Sequence, residues 1–120
     1  MHTTAETKFH TWTNPIFGCQ SNDWDFFQNH LTQVIRDQGF ISHVLGYTQK
    51  KPIYLLERAS HKVFAKNILI ASGFHGEEPA GPWGLLHAIE SIPRNTLDAV
   101  NLSVLPLVNI SGFSLGQRLN

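Results

Sequence analysis

One stretch constrains this chain more than any other: Ile68-Leu-Ile-Ala71-Ser-Gly73-Phe-His75-Gly76-Glu77-Glu78-Pro79-Ala-Gly81. Ile68 to Ala71 is an apolar run of buried-strand length, Gly73 and Gly76 permit a tight turn, and Pro79 stands where a first helical residue needs no N–H. The order predicts a strand, a turn and a helix start, with His75 at the strand's carboxyl end and Glu78 at the helix entrance. An imidazole nitrogen and a carboxylate brought together there suit zinc, which accepts both ligand types. Glu77 is expected to face away, as an acid favoured by the helix macrodipole.

Spacing alone does not make a metal site, and the chain contains its own control. His87-Ala-Ile-Glu90 repeats the His-x-x-Glu spacing inside the helix expected from Pro79 to about Ser91. There, residues three apart are surface neighbours, so the pair reads as a solvated helical pair rather than as ligands.

The rest of the chain reads as one α/β unit. Residues up to about Gln20 are expected to be an irregular arm, which would contain the single cysteine, Cys19. Ser21, Asn22 and Asp23 offer N-cap side chains, and Phe27, Leu31, Val34 and Ile35 then recur at helical spacing until Gly39 closes the helix. Trp24, Phe26 and Phe27 at that spacing belong to a core. Two strands are expected at Ile41–Tyr47 and Ile53–Ala59, joined by a solvated turn over Thr48–Lys51. A further strand covers Asn67–Ala71, and Trp83, Leu86 and Ile89 form the buried face of the helix that follows. Pro93 ends that helix. A loop through Asn95 and Asp98 then leads to an apolar strand over Leu102–Val108, where Pro106 requires a bulge or an edge. Strand, helix, strand implies a parallel pair, with His75 and Asn109 just past the two carboxyl ends.

Bulk properties limit the function. Nine Lys plus Arg balance nine Asp plus Glu, without a basic cluster, so no nucleic-acid footprint is present. A single cysteine permits no internal disulfide. With no apolar leader in residues 1–13 and no membrane-length apolar run, the reading is cytoplasmic and not membrane-bound.

The segment Gly73-Phe-His75-Gly-Glu-Glu78-Pro-Ala-Gly81 resembles the first metal motif of the zinc carboxypeptidases. Asn109-Ile-Ser-Gly112-Phe-Ser-Leu-Gly116-Gln-Arg118-Leu-Asn120 is similar to that family's Asn-Pro-Asp-Gly segment and the Arg that follows it, with Ile110 and Ser111 in place of Pro-Asp. Val44-Leu-Gly46-Tyr-Thr-Gln-Lys-Lys-Pro52-Ile-Tyr54 is similar to the strand, turn and strand that precede the metal motif. The resemblance covers roughly residues 40–120. It implies the N-terminal portion of a mixed, largely parallel sheet flanked by helices, within one zinc-dependent catalytic domain. It also implies His75 and Glu78 as zinc ligands and Arg118 facing the substrate carbonyl.

The family's third zinc ligand, general base and carboxylate-binding Asn and Arg are absent from these 120 residues. The expectation is therefore the N-terminal part of a carboxypeptidase-like domain acting on a peptide or an acyl-amino acid, the latter as in aspartoacylase-like deacylases. By itself such a part should be inert. The apolar edge of its sheet, expected at the strand before Asn109, should drive self-association or pairing with a C-terminal part.

Two other readings exist. Gly112-Phe-Ser114-Leu-Gly116 fits the G-x-S-x-G elbow of serine hydrolases. However, Asn109 to Phe113 separate Ser114 from the strand, and only six residues follow it to hold the acid and the His. A non-catalytic metal- or protein-binding fragment is the third reading.

Overall fold

The computed structural model describes residues 21–119, so the expected arm with Cys19, and Asn120, lie outside the described residues. Helix α1 spans Trp24–Gln38. Of the three candidate caps it uses Asp23, whose carboxylate accepts the Phe26 N–H at 3.1 Å, and it ends at Gly39 with φ 73°. Strands β1 (Ile41–Thr48) and β2 (Lys51–Arg58) form an antiparallel hairpin. Its two turn residues, Gln49 and Lys50, both have positive φ, as the tightest hairpin turns require. There follow β3 (Lys66–Ala71), helix α2 (Ala80–Ser91), a short helix α3 (Arg94–Leu97), β4 (Val100–Leu105) and helix α4 (Ile110–Leu115).

The sheet is mixed, in the order β1-β2-β4-β3. β2 pairs antiparallel with β4, and β3 pairs parallel with β4 from Lys66↔Val100 to Ala71↔Leu105. This is the α/β architecture with the parallel pair that the strand, helix, strand order implies.

Several boundaries differ from the sequence reading, each for a physical reason. Pro79 is the N-cap of α2 and not its first helical residue. The expected loop after Pro93 contains the helical turn α3. β4 begins at Val100 because Val100 and Asn101 pair with Lys66 and Asn67, and it stops at Leu105 because Pro106 has no N–H to continue the ladder. Pro106 therefore needs neither bulge nor edge. β4 is also interior, so the open apolar edge belongs to β3, where Leu69 is 63% exposed.

The core lies between the helices and one face of the sheet. Leu56, Leu102 and Val104 join Phe27, Leu31, Val34, Trp83, Leu86 and Ile89 in one buried cluster. Trp83 is fully buried, its ring edge-on to Phe27 at 5.1 Å and its Nε1–H donating to the Ser21 carbonyl at 2.9 Å. Phe26 is partly exposed, yet its ring still lies 5.2 Å from that of Trp83.

His87 and Glu90 are not a solvated pair. The His87 side chain is only 13% exposed, and Glu90 Oε1 also sits 3.3 Å from His30 Nε2 on α1, so the group joins two helices. No helix among the described residues is long and apolar enough to cross a membrane.

Gln38 secures the far end of α2. The two N–H groups of its Nε2 are shared among the carbonyls of Ile89 (2.9 Å), Glu90 (3.2 Å) and Ile92 (3.1 Å), which include acceptors left open where the helix ends. Replacement by leucine fills similar space but donates nothing. Gln38→Leu is expected to destabilise the fold by about 1–3 kcal/mol, the cost of stranding buried acceptors, as measured by urea denaturation of wild type and variant. A variant with an unchanged midpoint would show that water satisfies these carbonyls.

Candidate metal centre

The parallel pairing of β3 and β4 continues past both strands and builds the site. The Ser72 N–H donates to the Leu105 carbonyl (3.0 Å), Val108 to Ser72 (3.1 Å) and Asn109 to Gly73 (2.8 Å). Gly73 turns the chain at φ 77°, where a side chain would be strained, and a Cβ there would also crowd Leu107. His75 follows this turn, and Glu78 closes the next one by donating its N–H to the His75 carbonyl at 3.1 Å.

His75 Nδ1 lies 3.5 Å from Glu78 Oε1. Zinc bonds of about 2.0–2.2 Å at tetrahedral angles require neighbouring ligand atoms about 3.4 Å apart, so this pair has the length of one tetrahedral edge. The donor set and its spacing both fit zinc. Glu77 also comes close: His75, Glu77 and Glu78 each offer a ligand atom, and these atoms lie within 4.8 Å of one another. The expectation that Glu77 faces away is therefore not met. It precedes the helix, in a turn that leaves neighbouring carboxylates on the same side.

Arg118 enters the same cluster, with Nη1 3.4 Å from Glu77 Oε1 and 3.9 Å from Glu78 Oε2. Its position is set by backbone contacts. Asn109 Oδ1 accepts the Gly112 N–H at the start of α4, while Asn109 Nδ2 donates to the carbonyls of both Phe74 and Arg118 at 3.2 Å. The Gly76 N–H reaches the Arg118 carbonyl at 3.3 Å. This approach is possible because Gly76 has no side chain, since a Cβ there would overlap the Gly112 and Gln117 carbonyls.

Asn109 and Gly76 are thus organising residues that the sequence reading did not assign. Their signals were present, a polar residue at a strand's end and a glycine between two candidate ligands, but the contacts that join the two loops, Asn109 to Phe74 and Gly76 to Arg118, each span more than thirty residues.

A hollow of about 520 Å³ opens beside the cluster, bounded by Gly73, Phe74, His75, Glu78, Ala80 and Gly81. A larger one, about 600 Å³, lies on the other sheet face near His43 and Glu57, which pair with each other at 2.9 Å. The smaller hollow is the relevant one because it contains His75 and Glu78, the two candidate ligands. Ser114 belongs to neither. It lies inside α4, well past the end of β4, and its Oγ is buried without a hydrogen-bond partner, so the strand-to-helix elbow of a serine hydrolase is not formed.

No protein-family model matches the chain, and no curated protein matches it. Among solved structures it is similar to a candidate metallopeptidase from Shewanella amazonensis SB2B, with 44% identity and a TM-score of 0.78 over 82% of this chain and 37% of that one. A second candidate metallopeptidase, from Shewanella denitrificans OS217, matches at 42% identity and TM-score 0.77, over 82% of this chain and 38% of the other. The fold likeness extends to a metallo-carboxypeptidase from Burkholderia cenocepacia at 20% identity and TM-score 0.68, over 82% and 29% of the two chains. The chain spans well under half the length of these relatives.

Two glycines beside the cluster provide a matched test of the loop packing. Gly76→Ala should cost about 1–3 kcal/mol by overpacking and should speed hydrogen exchange at the Gly76 amide. Gly81→Ala, whose Cβ would meet only Ser72 Cβ at 3.9 Å, should stay within about 1 kcal/mol of wild type, on the stabilising side. Equal stabilities for the two variants would refute the close approach at Gly76.

Proposed function

We propose, from its fold and its likeness to candidate metallopeptidases, that this chain is part of a zinc-dependent, carboxypeptidase-like hydrolase cleaving a peptide or related amide bond. The observation that carries this reading is the 3.5 Å His75–Glu78 pair, set beside the Arg118 guanidinium at the carboxyl end of the parallel strands. His75 and Glu78 would hold zinc. The ion, when bound, supplies Lewis acidity toward the scissile carbonyl and toward water.

This chain's own residues do the remainder of what is assigned here. Glu78 contributes one negative charge to a dication. Arg118, presented by the backbone staples to Asn109 and Gly76, directs a cation toward the place where a carbonyl oxygen gains charge. A preorganised donor of that kind acts mainly on the transition state and less on the ground state.

The third ligand and the general base belong, on this proposal, to a further part of the protein. That part would also cover the open edge of β3, where Ile68, Leu69 and Ile70 are exposed, and without it the 120 residues are inert and associate through that edge.

Two substitutions separate the roles. His75→Ala should abolish stoichiometric zinc in the complete catalytic protein, while His87→Ala retains it, as read by metal analysis of the purified variants. Arg118→Ala should lower kcat by roughly a hundredfold or more with zinc content unchanged, because the lost interaction is made in the transition state. Equal zinc in the two histidine variants, or wild-type turnover without Arg118, would overturn the corresponding assignment.

A further inference from the structure

Glu77 lies between His75 and the metal motif's Pro79, and the sequence reading made it only an acid favoured by the helix macrodipole. Its Oε1 is 3.4 Å from Arg118 Nη1, the shorter of the two carboxylate contacts that the guanidinium makes. The other contact divides Glu78 between two neighbours. Oε1 of Glu78 faces His75 at 3.5 Å, and Oε2 faces Arg118 at 3.9 Å.

This arrangement poses an electrostatic problem. A dication held by His75 and Glu78 would share one carboxylate with a guanidinium, and two cations that close repel each other. Arg118 then either leaves the site or takes Glu78 away from the metal. A second carboxylate resolves the conflict, provided it is closer to Arg118 than Glu78 is. Glu77 meets that condition.

We propose that Glu77 is a positioning residue: its carboxylate holds Arg118 beside the metal pair and leaves Glu78 free to serve as a ligand. The inference rests on the zinc-hydrolase reading above for its purpose, but not for the pairing itself. An exposed ion pair alone contributes little, because two flexible side chains must be ordered to form it. Here the backbone has already done much of that ordering. Residue 118 is tied to Gly76 through its own carbonyl, and Asn109 ties that same carbonyl to Phe74, so Glu77 and Arg118 leave a common backbone junction in register. The absence of a Cβ on Gly76 lets the two segments approach closely enough for the side chains to meet.

Two measurements test this, the first on the 120-residue chain and the second on the complete catalytic protein. In the metal-free protein, the guanidinium N–H signals of Arg118 are identified by their loss in Arg118→Gln, and their exchange with water is followed by NMR. Glu77→Gln should speed that exchange about tenfold or more, whereas Glu78→Gln should change it less than about threefold. Exchange as fast as in free arginine in the wild type, or a larger effect from Glu78→Gln, would overturn the proposal.

The second measurement is a zinc titration followed on the His75 ring. Glu77→Gln should weaken zinc about tenfold when Arg118 is present, and less than about threefold in an Arg118→Gln background, because the harm comes from the released guanidinium. Equal loss in both backgrounds would make Glu77 a ligand in its own right. No loss in either would make it idle, and both results contradict the proposal. If the wild-type His75 ring ignores zinc while Glu77 still governs guanidinium exchange, the metal reading fails and the Glu77–Arg118 pairing survives.

Discussion

Everything at the candidate site depends on the parallel ladder of β3 and β4 being extended beyond the strands into the loops. The bonds from Val108 to Ser72 and from Asn109 to Gly73 bring two segments more than thirty residues apart into fixed register just where each strand ends. A loop that only connected β3 to α2 would leave His75 free to move. Here it is one side of a two-stranded seam, and Asn109 closes the seam by binding the Phe74 carbonyl, the Arg118 carbonyl and the Gly112 N–H. Local polar groups are satisfied in the same contacts that position the site, as expected of backbone that cannot all face water.

The helices act as a rigid support behind this seam. α2 begins two residues after Glu78, so any tilt of the helix would move the carboxylate. Three contacts resist tilt: the burial of Trp83 against Phe27, the His30–Glu90–His87 group between α1 and α2, and the Gln38 amide on the carbonyls at the helix's far end. The first is apolar and undirected, and the other two are polar and directional. Apolar packing fixes how closely the helices lie, whereas hydrogen bonds to particular carbonyls fix their register.

The two glycine-flanked halves of the site solve different problems. Gly73 supplies a backbone angle that other residues adopt poorly, while Gly76 supplies space. A sequence displays both as the same letter. That is one reason the pairing of His75 with Glu78 was legible before the fold and the packing around it was not.

The sequence by itself determined most of the elements and the spacing of His75 and Glu78, because these depend on neighbours in the chain. The helical recurrence of Phe27, Leu31 and Val34, the caps at Asp23 and Gly39 and the parallel pairing appear in the fold as periodicity and capping chemistry require, whereas the apolar run before His75 forms its strand on an exposed edge instead of in the core. It misjudged the end of the last strand at Pro106, missed the helices α3 and α4, placed the open edge at the strand before Asn109 and left Glu77 facing away. The misses at the sheet edge and at Glu77 turn on partners distant in sequence. β4 is interior because β2 takes its other side, and Glu77 faces the cluster because Arg118, forty-one residues on, is stapled beside it. Tertiary structure alone decides such matters, since a side chain's direction in a short turn costs little locally and is chosen by whatever charge the fold brings within reach.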